Sequence, residues 1–368
     1  MGNTGPGIDL HALDRHGDLD AEPGLVDFAV NVRGAPPPFL ADALTAAIGD
    51  LAAYPGTGHT DRAIDAIAAL HGRHRADVLL LAGAADGFEM LPRLGVAHAA
   101  LIQPSFTEPE IALRAAGIAI TQVVLTPPWQ LDADTIAARI PDDADLVILG
   151  NPTNPTSVLH PRAAIEAMRR PGRLIVIDEA FADLTIDAST GIREPESMAG
   201  PDITSATHPD VIVIRSITKT FGLAGLRAGY LLAAPPIVAR LTAGRRPWPL
   251  STLALIALAE CAGASGQQYC EHLARRVVDE RAAMIGLLAD AGVTVLGNPA
   301  APFLLISERS GLLVKERLRA NGFAVRSAAN FVGLGDDHLR LAVRPAAQVA
   351  ALIEVLAQAR KEVADGNG

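Results

Sequence analysis

Residues 213–230, VIRSITKTFGLAGLRAGY, carry the residue on which the interpretation of this sequence depends. The apolar run 211–215 predicts a buried strand, and Lys219 follows it closely. A lysine at such a strand end can have a lowered pKa, so that its amine attacks a carbonyl and forms a Schiff base. Ser216, Thr218 and Arg227 add two hydroxyls and a guanidinium, which together suit a phosphate group. Taken alone, a lysine after a strand is more often an ordinary surface residue.

Two more polar groups follow predicted strands earlier in the chain. Asn154 lies in the motif NPTNP, residues 151–155, directly after the apolar run 146–149. The prolines fix this loop, so Asn154 projects at the carboxyl end of a parallel strand, where ligands bind in open α/β sheets. Asp178 follows the next apolar run, 174–177. An acid there suits a metal ligand, a helix cap or a partner for a buried cation.

Strands and helices alternate along most of the chain, which predicts an α/β fold. The expected fold has a large domain with a mostly parallel seven-stranded sheet flanked by helices, and a smaller α/β C-terminal domain. We expect an extended N-terminal arm over residues 1–38, the large domain over 39–235, and linking helices with the small domain over 236–368. A long helical stretch is expected from Ser251 to about Ala291. The strands of the large sheet are predicted at residues 78–81, 99–102, 118–124, 146–149, 174–177, 211–215 and 228–232.

Composition excludes several classes of function. Of the 368 residues, 49% are apolar and 20% charged, so the chain can build a large core. The net charge of −10, without any basic block, disfavours a nucleic-acid or anionic-membrane partner. The apolar runs are far shorter than the ~20 residues that span a bilayer. Two cysteines form no disulfide framework, so we expect a cytoplasmic protein, and no metal is expected because His71 and His74 lack a third ligand.

The order of these motifs resembles a known enzyme family. Asn-Pro-x-Asn-Pro comes first, then an aspartate after a strand, then Ser-x-x-Lys after a strand with an arginine eight residues beyond the lysine. This order is similar to that of the pyridoxal-phosphate-dependent enzymes of fold type I, the class I/II aminotransferase family, and the similarity extends from about His16 to Arg340. The resemblance implies pyridoxal 5'-phosphate as cofactor and a homodimer with shared active sites.

The resemblance also implies a role for each site residue. Lys219 would bond the cofactor's aldehyde carbon and later carry a proton, Asp178 would pair with the pyridine nitrogen, and Asn154 would donate a hydrogen bond to the phenolic oxygen. Phe106 would stack on the ring. The cofactor phosphate would be held by Ser216, Thr218, Arg227, the backbone amides of Gly83, Ala84 and Ala85, and Tyr54 of the neighbouring subunit.

Residues 213–230 look like the branch that holds the histidinol-phosphate aminotransferases and the threonine-phosphate decarboxylases of cobalamin biosynthesis. Three features favour the decarboxylases: His16-Gly17 in the arm, Phe181 where the aminotransferases have Tyr, and Arg215-Ser216. Residues 31–34, NVRG, depart from the element common to both groups.

Both groups act on a small phosphorylated amino acid or amine. By resemblance, Arg340 would grip a substrate α-carboxylate and Arg326 the substrate phosphate, with His16 and Asn31 as further substrate contacts. The resulting expectation is an L-threonine-O-3-phosphate decarboxylase of cobalamin biosynthesis. The alternative is a histidinol-phosphate-type aminotransferase with 2-oxoglutarate as acceptor. The same lysine, aspartate and arginines serve both reactions, so the motifs leave both open.

Overall fold

The computed structural model describes Leu13 and residues 17–187 and 189–365; His16 lies outside the described residues. The strands are β1 Val26–Asp27, β2 Val78–Leu81, β3 His98–Gln103, β4 Ala119–Val124, β5 Leu146–Gly150, β6 Leu174–Asp178, β7 Val211–Ser216, β8 Gly229–Leu232, β9 Thr294–Leu296, β10 Phe303–Ser307, β11 Phe323–Ala324, β12 Arg326–Ser327 and β13 His338–Ala342. The helices are α1 Pro38–Ala46, α2 Thr57–His71, α3 Ala84–Met90, α4 Glu108–Ala115, α5 Arg162–Ala167, α6 Pro235–Thr242, α7 Thr252–Ala262, α8 Ala264–Asp290, α9 Gly311–Ala320 and α10 Ala346–Asp365.

The main sheet confirms the predicted fold. Its seven strands lie in the order β2-β8-β7-β6-β5-β3-β4. All neighbouring strands are parallel except that β8 is antiparallel to both β2 and β7. Strands β5 and β7 are buried along their whole length, as expected for apolar strands covered by helices on both faces. The core is divided by this sheet into two large apolar clusters.

The stretch expected to be helical from Ser251 to about Ala291 forms two helices, because the helix is interrupted at Gly263. The backbone of Gly263 is extended there, with φ −74° and ψ 176°, so α7 ends and α8 begins at this residue. The chain then turns so tightly that a Cβ at Gly266 would lie 2.1 Å from the carbonyl oxygen of Cys261. Residues 263–268, GASGQQ, contain no large apolar side chain, so the apolar pattern pauses between the two helices.

The C-terminal part carries its own antiparallel sheet in the order β12-β13-β10-β9. The N-terminal segment is attached to this part, since β1 pairs in parallel with β11. Phe28, directly after β1, is fully buried in the core of the small sheet and its helices. The proposed division at residues 38 and 235 stays a prediction.

No helix in the described ranges is both long and apolar enough to cross a membrane. The described residues also contain no group of three or more His, Cys, Asp or Glu side chains that could hold a metal ion. His71 is buried between the Tyr230 hydroxyl, 2.8 Å from its Nε2, and the Ala199 carbonyl, 3.1 Å from its Nδ1. It is therefore a hydrogen-bonded core residue.

Candidate active site

Three predicted site residues lie at the carboxyl ends of adjacent parallel strands. Asp178 is the last residue of β6, in register with Gly150 of β5 and Ile214 of β7. Asn154 follows β5, and Lys219 comes three residues after the end of β7. The carboxyl ends of neighbouring parallel strands lie together, so the topology brings the amide, the carboxylate and the amine to one crevice.

The Lys219 amine lies in a crowded and mostly enclosed position. Burial lowers its pKa below the usual value, and the nearby positive charges of Arg340 and Arg227 lower it further, while Glu108 and Asp178 act in the opposite direction. A lowered pKa leaves more of the amine neutral near pH 7, which is the form that attacks a carbonyl. The environment therefore suits the predicted nucleophile.

The Asp178 carboxyl is oriented by its own loop. Its Oδ1 accepts a hydrogen bond from the backbone amide of Ala180 at 3.1 Å. Burial raises the pKa of the carboxyl to about 7, and this amide only partly offsets the shift. Within the described ranges Asp178 makes no ion pair. A buried carboxyl of this kind gains its charge when a cation comes beside it, which is what a protonated pyridine nitrogen provides.

Arg227 lies against the loop that begins α3. Its Nη2 is 3.0 Å from where a Cβ would stand on Gly83, and Gly83 has a positive φ of 86° that favours glycine. On the other side, a Cβ on Gly229 would lie 3.3 Å from the backbone nitrogen of Ala84. Two glycines thus allow a guanidinium and the first amides of α3, those of Ala84 and Ala85, to lie close together, an arrangement suited to an anion.

The remaining predicted cofactor contacts are Ser216, Thr218, Phe106 and Tyr54. Ser216 and Thr218 are both buried, and the Ser216 hydroxyl accepts from the backbone nitrogen of Thr218 at 3.3 Å. Phe106 follows β3 and lies 6.4 Å from the ring of Phe88, between ring centroids. Tyr54 differs from the others: its side chain is 75% exposed and stacks on Trp248 at 4.3 Å. Its predicted contact with a neighbouring subunit stays a prediction.

Arg340 connects the small sheet to the crevice. Its Nη1 donates to Oδ1 of Asn154 at 2.7 Å, and its Nη2 donates to the carbonyl of Ala29 at 2.5 Å. Because a guanidinium only donates, the oxygen of the Asn154 amide must face Arg340. The amide nitrogen of Asn154 is then directed elsewhere, in the sense needed to donate to a phenolic oxygen.

The two predicted substrate arginines are cross-strand neighbours. Arg326 of β12 is paired in register with Arg340 of β13, and both are buried. Burial and the charge of Arg326 lower the pKa of Arg340 to about 9. Like charges directly opposite each other destabilise a sheet unless anions accompany them. Asp20 is such an anion, since its Oδ2 lies 3.5 Å from Nη1 of Arg326, and Nη2 of Arg326 donates to Asn330 at 3.0 Å.

Other candidates are divided between the crevice and the arm. Asn31 is buried, and its Oδ1 has no hydrogen-bond partner among the described residues, as expected for a group that meets a ligand. Arg33 is instead paired with Glu280, and Arg344 donates to the carbonyls of Asp27 and Val30 at 2.7 and 2.8 Å. Both arginines therefore fix the arm.

Comparison with known proteins agrees with this geometry. The sequence profile of the family Aminotransferase class I and II matches residues 24–356. The chain belongs to this aminotransferase family. Members of the family depend on pyridoxal 5'-phosphate, and this protein is accordingly a pyridoxal-phosphate-dependent enzyme.

Relatives of this chain carry two kinds of name. A histidinol-phosphate aminotransferase of Mycobacterium tuberculosis is 48% identical over 339 residues, which cover 91% of this chain and 88% of the relative. A threonine-phosphate decarboxylase of Sinorhizobium sp. is 34% identical over 243 residues, 64% of this chain and 65% of the relative. The crystal structure of the histidinol-phosphate aminotransferase from Clostridium acetobutylicum superposes with a TM-score of 0.81 at 26% identity, covering 92% of this chain and 100% of that one.

The residues of the crevice fit the family's cofactor. An enclosed carboxyl, Asp178, is free of ion pairs in the described ranges and is available to a pyridine nitrogen. The cradle of Gly83 and Arg227 would close if either glycine beside α3 carried a side chain. Gly83, Gly229 and Arg227 thus leave room for a phosphate beside the first amides of α3, while Lys219 follows the neighbouring strand β7.

Sequence reasoning missed several groups at this site. Glu108, the first residue of α4, influences the pKa of both Lys219 and Asp178. Phe303 lies under Arg340, with the guanidinium carbon 5.6 Å from the ring centroid, and packs edge-on against Phe181 at 5.0 Å. Phe303 carries no local signal, since only tertiary packing brings it near. Glu108 had a local signal, because an acid comes two residues after the predicted stacking residue Phe106.

Proposed function

We propose that this enzyme transfers the amino group of a small phosphorylated amine to a 2-oxo acid, as a histidinol-phosphate-type aminotransferase with 2-oxoglutarate as acceptor. The observation that carries the proposal is the 48% identity, over nine-tenths of the chain, to relatives named histidinol-phosphate aminotransferase. Threonine-phosphate decarboxylases match at 29–34% identity, so the expectation of a decarboxylase has weaker support.

The arginine pair gives the proposal a physical basis. Amino transfer requires one site to accept two substrates in turn, an amine with a phosphate and a dicarboxylic amino or oxo acid. Arg326 and Arg340 are adjacent and buried, so they can hold a phosphate in one half of the reaction and a carboxylate in the other. Asn31, whose buried Oδ1 lacks a partner among the described residues, lies on the arm segment that Arg340 contacts through Ala29.

The residues at the sheet edge would divide the chemical work. When bound, the cofactor supplies an aldehyde for the substrate amine and an electron-withdrawing pyridinium ring. Asp178 would keep the ring nitrogen protonated, Asn154 would donate to the phenolic oxygen, and Ser216, Thr218, Arg227 and the amides after Gly83 would hold the phosphate. Lys219 would take the proton from the substrate carbon that bears the nitrogen, since its lowered pKa leaves the amine neutral.

The test compares two substrate pairs with the same purified enzyme. Incubation with histidinol phosphate and 2-oxoglutarate should yield glutamate, and incubation with threonine phosphate should release little carbon dioxide. Carbon dioxide from threonine phosphate, without glutamate from the first mixture, would replace the proposal by the decarboxylase. The holoenzyme of Lys219→Ala serves as the control that the products arise at this site.

A further inference from the structure

A buried charge cluster lies beside the crevice on the other side of Lys219. Its centre is Arg215, the next-to-last residue of β7, whose side chain is 3% exposed. The guanidinium meets three carboxylates: Nε lies 3.1 Å from Glu179, Nη1 donates to Asp183 at 2.7 Å, and Nη2 donates to Glu194. Neither the cofactor contacts nor the substrate contacts use any of these groups.

One carboxylate of this cluster contacts the lysine loop, by which we mean residues 217–223 after β7. Asp183 binds Arg215 through Oδ1, and its Oδ2 accepts a hydrogen bond from the Thr220 hydroxyl at 3.1 Å. Thr220 is the residue directly after Lys219 and is completely buried. Lys219 itself is only partly buried. Adjacent side chains of the loop therefore point to different places, one into the cluster and the other toward the crevice.

Apolar packing also restrains the loop, since the buried ring of Phe221 stacks on that of Tyr269 with ring centroids 5.5 Å apart. The backbone of the loop is closed by the bonds from Phe221 to the carbonyl of Ile217 at 3.2 Å and from Leu223 to that of Thr218 at 3.0 Å. These bonds set the curvature of the turn but do not fix its position against β6. The hydrogen bond between Thr220 and Asp183 restrains that position. Asp183 belongs to the segment that follows β6, and Asp178 is the last residue of β6. The bond therefore links the segment that carries the nucleophilic amine to the segment that carries the carboxylate.

We propose that Asp183 and Thr220 are positioning residues for Lys219: the carboxylate, held by Arg215, anchors the Thr220 hydroxyl and so keeps the lysine amine enclosed in the crevice. This inference rests on the proposed function, in which Lys219 is the residue that bonds the cofactor. A hydrogen bond to a buried carboxylate is among the stronger restraints that a side chain can give, and a misplacement of about 1 Å can cost a reacting group about a hundredfold in rate.

The anchor has a measurable consequence in the cofactor-free protein. The amine must be neutral to add to the aldehyde of pyridoxal phosphate, so the rate of addition rises with pH through the pKa of Lys219. Burial, Arg340 and Arg227 hold that pKa low against the opposing charges of Glu108 and Asp178. A loop without its anchor lets the amine move toward solvent, so the midpoint of the rate profile should move to higher pH.

The experiment measures the rate of pyridoxal phosphate addition to the cofactor-free variants from pH 6 to 10. Thr220→Val removes the donor at constant shape and should raise the midpoint by about one pH unit, so that the rate at pH 7 falls about tenfold. Thr220→Ser keeps the donor and should retain the wild-type profile. Ser197→Ala is the matched control, since Ser197 bonds Arg215 and Glu179 in the same cluster at 3.2 and 2.7 Å but has no bond to the lysine loop.

Equal profiles for Thr220→Val and Ser197→Ala at matched melting temperature would overturn the anchor, as would a Thr220→Ser protein as slow as Thr220→Val. If valine prevents folding, Thr220→Ala takes its place under the same comparison. The Lys219→Ala variant distinguishes the proposed role of the lysine from the proposed anchor. Covalent addition that persists in Lys219→Ala would refute the proposed role of the lysine, whereas a silent Lys219→Ala with a normal Thr220→Val would refute the anchor alone.

Discussion

Asp178 is the residue whose charge depends most on what lies beside it. In the cofactor-free protein, burial raises the pKa of its carboxyl from 3.8 to about 7. Between these values the folded protein holds a proton that the unfolded chain has lost, so the unfolding free energy falls as pH rises through the window. A pyridinium nitrogen reverses this effect, because a cation favours the charged carboxylate. The cost of keeping the carboxyl enclosed is therefore offset only when the cofactor is bound.

Asp178→Asn should expose both effects. In the cofactor-free state the variant lacks this titration, so its unfolding free energy relative to wild type should be higher at pH 7 than at pH 5, measured by urea unfolding at both values. In the holoenzyme, turnover should fall by orders of magnitude with the fold unchanged. The same relative stability at both pH values, or a nearly normal rate, would contradict the role.

Arg326 and Arg340 should separate substrates by their charged groups. Loss of a charge-assisted pair costs about 1.5–3 kcal/mol, or one to two decades of affinity. Arg326→Ala should weaken histidinol phosphate strongly and glutamate little. Arg340→Ala should weaken glutamate and threonine phosphate but hardly histidinol phosphate, which has no carboxylate. Dissociation constants for each ligand on both variants test this, and an equal loss for phosphorylated and unphosphorylated ligands in Arg326→Ala would refute the phosphate assignment.

Among the secondary-structure elements, the carboxyl ends of the strands determine where most of the candidate site residues lie. The positions of the strands along the chain and the grouping of Asn154, Asp178 and Lys219 could be predicted, because parallel strands in α/β sheets bring their carboxyl ends together. The register of Arg326 opposite Arg340 and the approach of Phe303 could not, because each depends on tertiary packing between segments distant in sequence. Local patterns carry no information about such pairings.

The loop before α3 allows a matched test of the phosphate cradle. Gly83→Ala places a Cβ at a positive φ and 3.0 Å from the Arg227 guanidinium, so it should weaken cofactor binding about tenfold and cost about 1 kcal/mol of stability. Gly117→Ala has the same kind of φ, 75°, with open space around it. It should show the loss of stability without the loss of cofactor affinity, as measured by spectroscopic titration. Equal cofactor affinity in the two variants would contradict the cradle.

At the scale of the whole molecule, we propose a homodimer with shared sites. Tyr54 and Trp248 are large, apolar and stacked, and they are 75% and 56% exposed in the single chain. Exposed aromatic pairs of this kind are typical of surfaces that a partner covers. Trp248 also has a positive φ of 46°, which is strained for this residue and suggests that its exposed position serves a contact.

Mixed dimers give the sharpest check of the shared site. Sedimentation should show a dimer at micromolar concentration. Tyr54→Ala should lower cofactor affinity in every site of its own dimer, and Lys219→Ala should have no turnover. Dimers mixed from the two variants should regain activity, because one of the two sites then contains both an intact lysine and the partner's intact tyrosine. A fully active monomer, or no recovery on mixing, would contradict this assembly.

The central claim is that Lys219 bonds pyridoxal 5'-phosphate, and borohydride reduction tests it most directly. The chain has only three lysines, Lys219, Lys315 and Lys361, so peptide mass spectrometry can assign the reduced adduct without ambiguity. Lys315 on α9 is already paired with Asp20, with 2.6 Å between its Nζ and Oδ1 of the aspartate. We expect one adduct per chain, on Lys219, and none in Lys219→Ala. An adduct on Lys315 or Lys361, or covalent trapping that survives in Lys219→Ala, would contradict it.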